Sequence, residues 1–171
     1  METSEVLIDA FERIRGVTHN AVDGLTPEVL AFRPDPDANS IAWLAWHLTR
    51  IQDDHIAGVA DTEQLWTSAG WYERFALPFP PSAIGYGFSS DDVAAVQVSS
   101  AELLTGYHDA VHEHTVRYLR SVTPPDLDRI VDESWDPPVT LGVRLVSVIS
   151  DNLQHAGQAA YVRGIAERRP G

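Results

Sequence analysis

Four stretches of this 171-residue chain repeat apolar side chains at the three- and four-residue spacing of an α-helix, and prolines gather in the segments between them. A proline inside a helix removes a backbone donor and clashes with the preceding turn, so this alternation confines the long elements to helices. The first stretch, residues 5–22, carries Val6, Leu7, Phe11, Ile14, Val17 and Val22 and closes on Asp23-Gly24. The second, about 41–58, follows a capping Ser40 and carries Ile41, Trp43, Leu44, Trp46, Leu48 and Ile51, with Arg50, Asp53 and Asp54 as its expected polar side. The third, about 100–122, is built on Leu103, Leu104, Tyr107, Val111 and Leu119. The fourth, about 140–165, carries Leu141, Leu145, Val148, Leu153, Ala156, Ala160 and Val162.

The connections differ in kind. Residues 25–39, with Pro27, Pro34 and Pro36, read as an irregular connector. Residues 59–90 hold Trp66, Trp71, Tyr72, Phe75, Phe79, Tyr86 and Phe88 among prolines and glycines. So long and aromatic a connection is expected to lie against the bundle as a crossover or lid. Ser89 or Ser90 can cap a short helix over Asp91 and Asp92, before a second start at Ser99-Ser100. Between the third and fourth helices, Arg129-Ile130-Val131 suits a short extended piece. The expectation is an all-α four-helix bundle in one domain, 1–171, with a long crossover between helices two and three.

Composition narrows the chemistry. With no cysteine, disulfides, zinc-thiolate sites and thiol nucleophiles are excluded, and any metal must take nitrogen and oxygen ligands. A formal charge of −13 opposes binding to nucleic acid or an anionic membrane face. An N-terminus of Met-Glu-Thr-Ser-Glu lacks the positive region of a signal peptide, and no apolar run suits a membrane span, so a cytoplasmic location is expected. The oligomeric state is open, a homodimer included.

Asp151 and His155 stand four apart on the fourth helix, where their side chains share a face and can chelate one ion. His47 sits in the middle of the second helix among Trp43, Leu44, Trp46 and Leu48, an unusual place for an imidazole unless its nitrogens have partners. By spacing alone, these residues suit a buried, hydrogen-bonded histidine as well as a metal site.

The segments Asn39-Ser40-Ile41-Ala42-Trp43-Leu44-Ala45-Trp46-His47-Leu48 and Asp151-Asn152-Leu153-Gln154-His155-Ala156-Gly157-Gln158 resemble the two metal motifs of the DinB-like superfamily. That superfamily includes the metal-binding domain of mycothiol-dependent maleylpyruvate isomerase and the bacillithiol transferases. The resemblance implies a DinB-like bundle and a divalent metal held by His47, Asp151 and His155. Zinc is the first expectation, with nickel or another ion admissible. Three such ligands leave a coordination position open, as in catalytic zinc sites. The resemblance therefore implies activation of a low-molecular-weight thiol, such as mycothiol or bacillithiol, for transfer to an electrophile or for isomerisation. The expected partners are that small thiol and its electrophile. A metal-dependent hydrolase and a non-catalytic metal- or ligand-binding stress protein are the alternatives. Two departures stand out: aspartate at position 151 reaches less far than glutamate, and the additional C-terminal domain of the maleylpyruvate isomerase is not expected, which puts that particular activity in doubt.

Other residues compete for attention. His108 and His112 also have ligand spacing, with His114 nearby, but Asp109, Glu113 and Arg117 around them suggest a solvated face. Asp53-Asp54-His55 reads as a solvated helix end, with Asp54 placed to support His47. Trp66, Trp71, Tyr72, Phe75 and Tyr86 are expected as packing anchors in preference to a pocket mouth. Arg144 and Gln158 share the face of Asp151 and His155 and are candidates for orienting a ligand or carboxylate. Arg163 is expected in solvent or a salt bridge, and Gly157 at a close helix approach.

Overall fold

Side-chain hydroxyls start three of the four long helices. The computed structural model describes residues 2–169, as α1 (Thr3–Val22), α2 (Pro27–Leu30), α3 (Ile41–Ala60), α4 (Leu65–Ser68), α5 (Trp71–Phe75), α6 (Ser90–Ala95), α7 (Ala101–Leu119), a 3-10 turn (Pro124–Asp128), β1 (Ile130–Asp132), β2 (Val139–Thr140) and α8 (Leu141–Glu167). Ser40 caps α3 through the Trp43 amide, Ser100 caps α7 through Leu103, and Thr140 caps α8 through Val143. Ser89 caps α6 as well, so both serine starts before α7 are used. The extended piece near Ile130 pairs antiparallel with β2.

The contacts fix the topology. Gln52 meets Asn152 and His55 meets Arg144, so α3 and α8 run antiparallel. Thr49 meets His108 and Gln52 meets Thr115, so α3 and α7 run parallel. Parallel neighbours need a return path along the bundle, about 30 Å for a 20-residue helix, which the crossover with α4, α5 and α6 supplies. The long helices α1 and α3 each pack on both α7 and α8. The architecture is the all-α bundle with a long crossover.

Two apolar clusters fill the bundle. One gathers Trp43, Trp46, Trp66, Phe75 and Tyr107 under the crossover; the other holds Phe11, Ile14, Ile56, Leu119, Leu141, Leu145 and Val148. Between them lies a polar layer. Asn152 donates to Gln52, Gln52 donates to Thr115, and Thr115 donates to the Val111 carbonyl. The Thr49 hydroxyl donates to the Ala45 carbonyl and so accepts from His108 Nδ1.

Three sequence expectations need correction here. His108 and His112 are not on a solvated face: both are buried, because α1 and α3 cover that side of α7. Burial pushes the His108 imidazole down to about 3, with the neighbouring His112 adding to the effect. Arg50 and Asp53 are fully buried, since the crossover covers the side of α3 that a lone amphipathic helix would give to water. Gly157 meets no other helix; its face of α8 is exposed. The crossover aromatics behave as anchors at Trp66 and Phe75, whereas Tyr86 is 86% exposed. Among the described residues no helix is long and apolar enough to cross a membrane.

Candidate metal centre

The antiparallel packing of α3 and α8 brings one side chain from the first and two from the second to a single point. A ligand atom from each of His47, Asp151 and His155 lies within 4.8 Å of the others. The two imidazoles meet edge to face, with ring centroids 4.9 Å apart, and His155 Nε2 is 3.5 Å from Asp151 Oδ1. Trp43, one turn before His47 on α3, stacks on the His47 ring at 4.5 Å and lies nearly perpendicular to the His155 ring, centroids 5.8 Å apart.

Each histidine has its Nδ1 engaged away from Asp151. His47 Nδ1 donates to the Ile84 carbonyl at 2.5 Å, which places the proton on Nδ1 and the lone pair on Nε2. His155 Nδ1 lies 2.8 Å from Gln158 Oε1, an acceptor that sets the same tautomer. Hydrogen bonds of this kind fix ligating imidazoles and raise their basicity. The other Asp151 oxygen, Oδ2, is buried with no hydrogen-bond partner. A buried carboxylate oxygen without a donor is unfavourable unless a cation compensates it. The residues therefore fit a divalent ion in both donor chemistry and unmet demand.

The electrostatics are consistent with a shared charge. Burial holds the His47 imidazole below its ordinary range, against the pull of the Ile84 carbonyl. The hydrogen bond to Asp151 raises His155. Burial acts to raise Asp151, but the neighbouring His155, His47 and His55 outweigh it and hold the carboxyl low.

Other candidate residues fall elsewhere. Arg144 donates to Asp132 at 2.7 Å and lies 3.2 Å from His55, so it ties the β1–β2 hairpin to α8. Gln158 supports His155. Asp54 accepts from Gln64 at 2.7 Å and gives no support to His47. Arg163 pairs with Glu167 and caps the α1 end through the Asn20 and Asp23 carbonyls. What the sequence reading missed is the crossover's part: the Ile84 carbonyl and Gly85 press on His47, and a backbone carbonyl leaves no signature in a sequence. Gly85-Tyr86-Gly87 marks a turn and nothing about its neighbour.

The DinB superfamily profile matches residues 10–159. A crystal structure of a conserved protein from Enterococcus faecalis is 31% identical, covers 99% of both chains and superposes with a TM-score of 0.92. No curated protein matches the chain.

Proposed function

The chain belongs to the DinB superfamily, and from that premise we propose that it binds one divalent metal, zinc in the first instance, through His47, Asp151 and His155, and uses it on a low-molecular-weight thiol. The observation that carries the metal reading is the buried, partnerless Asp151 Oδ2 beside two imidazoles whose Nδ1 atoms are already engaged. When bound, such an ion supplies an open coordination position and acidifies the thiol or water that takes it. The protein's own groups do the rest. The Ile84 carbonyl and Gln158 hold the protons at Nδ1 of His47 and His155, Asp151 supplies the only formal negative charge among the three ligands, and the Trp43 ring covers the His47 face.

The thiol reading is carried by the resemblance of the two motifs to those of a superfamily that includes thiol-dependent enzymes, together with the three-ligand arrangement, and the reaction proposed is S-transfer to a small electrophile or an isomerisation. The test is thiol consumption with mycothiol, bacillithiol and glutathione against a panel of electrophiles, using metal-loaded, metal-stripped and Asp151→Asn protein. Turnover only in the metal-loaded wild type is expected. Equal rates in all three would remove the metal from the chemistry.

A further inference from the structure

The crossover is stitched to α3 by a buried ion pair one turn beyond His47. Arg50 and Asp53 are fully buried and 3.8 Å apart. Asp53 accepts from the Leu65 and Trp66 amides at 2.9 and 2.8 Å and from the Tyr107 hydroxyl at 2.7 Å, which anchors the start of the crossover. Arg50 donates to Gln64 at 2.8 Å on the same side, and to the Ala83 and Pro81 carbonyls at 3.1 and 3.4 Å on the returning side. The next residue along that returning segment, Ile84, accepts from His47 Nδ1, and the one after it is Gly85 at φ +90°.

Gly85 is where this segment comes against His47. A β-carbon there would stand 2.8 Å from His47 Nδ1, 3.0 Å from the Trp46 ring and 3.3 Å from Trp43 Nε1. The first distance is far inside van der Waals contact, and the His47 ring it meets is already stacked on Trp43 at 4.5 Å. The nearby Gly87 also has a positive φ, +72°, but open space where its side chain would be.

We propose that residues 81–85 form a positioning strap for His47, anchored by Arg50, in which the Ile84 carbonyl fixes the proton on Nδ1 and Gly85 must lack a side chain for the ring to keep its place. The strap acts on the histidine and not on the ion, so its role is to set which nitrogen faces Asp151 and His155. Its consequence for metal affinity rests on the metal reading given above; its consequence for the tautomer does not.

Both glycines have a positive φ, so alanine is strained at either, and only at Gly85 does its side chain also collide with His47. The test compares Gly85→Ala and Gly87→Ala with the wild type by 15N NMR of the imidazoles in metal-free protein and by Zn2+ affinity in competition with a chelator. The wild type and Gly87→Ala should show His47 protonated at Nδ1 and bind Zn2+ alike. Gly85→Ala should lose that signature and bind about 10–100-fold more weakly, the range found when such supporting contacts are removed. Gly85→Ala matching Gly87→Ala in tautomer and affinity would overturn the strap while leaving the metal site standing. A wild-type His47 protonated at Nε2 would overturn it whatever the variants do. A wild type that binds no Zn2+ would instead remove the metal reading, and the tautomer comparison would still decide the strap.

Discussion

The two histidines of the centre are tuned in opposite directions, His155 upward by its hydrogen bond to Asp151 and His47 downward by burial. A metal needs both imidazoles neutral, so affinity should begin to fall above the ordinary histidine value of 6.5 as His155 takes up a proton, with His47 resisting to lower pH. Zn2+ titrations between pH 8 and 5 check this; an affinity flat across that range contradicts it. His108 gives a second pH prediction, on stability. Its folded value of about 3 lies below the ordinary histidine value of 6.5, so its contribution is complete above 6.5 and is lost as pH falls towards 3. Urea unfolding of His108→Gln should therefore show a flatter loss of stability below pH 6 than the wild type, by up to about 1.4 kcal/mol per pH unit. Parallel slopes would deny that His108 is buried neutral. At this scale the sequence was legible where chemistry sits within one helix: Asp151 and His155 are ligand-spaced by the helical repeat itself. It was misleading for His108, because charged neighbours at 109, 113 and 117 occupy other faces of α7 and say nothing of what covers the histidine.

The four long helices were legible because each carries its own period, and three of them begin at Ser40, Ser100 and Thr140, starts that the structure uses as caps. The crossover was legible as something packed, through its aromatics, but not in what it packs on. Arg50 and Asp53 look like a solvent stripe in a single helix, and only the covering segment makes them an interior ion pair. Arg50→Met should therefore destabilise the protein by about 3–5 kcal/mol, because it leaves a buried carboxylate without its cation. The exposed pair of Arg13 and Asp9 on α1 offers the contrast: Arg13→Met should leave the denaturation midpoint essentially unchanged. Chemical denaturation of the two variants side by side makes the comparison, and equal effects would mean that the interior pair does not hold the crossover.

For the whole molecule, the centre joins α3 to α8, and the crossover reaches it through Ile84, so an ion bound there favours the folded bundle over the open chain. At a free-metal concentration about 100 times its dissociation constant, the linkage amounts to roughly 2.7 kcal/mol. For a chain of this size that corresponds to about 5–10 °C in Tm. The −13 charge shapes the same balance, since a cation beside Asp151 relieves part of the repulsion that the folded state concentrates. The most direct measurement is the stoichiometry of Zn2+ binding to chelator-stripped protein, wild type against His155→Ala, with a thermal melt confirming that the variant is folded. One equivalent bound by the wild type, with a raised Tm, and none bound tightly by His155→Ala is the result predicted. A wild type that takes up no metal, or a His155→Ala protein that takes up as much as the wild type, would contradict it.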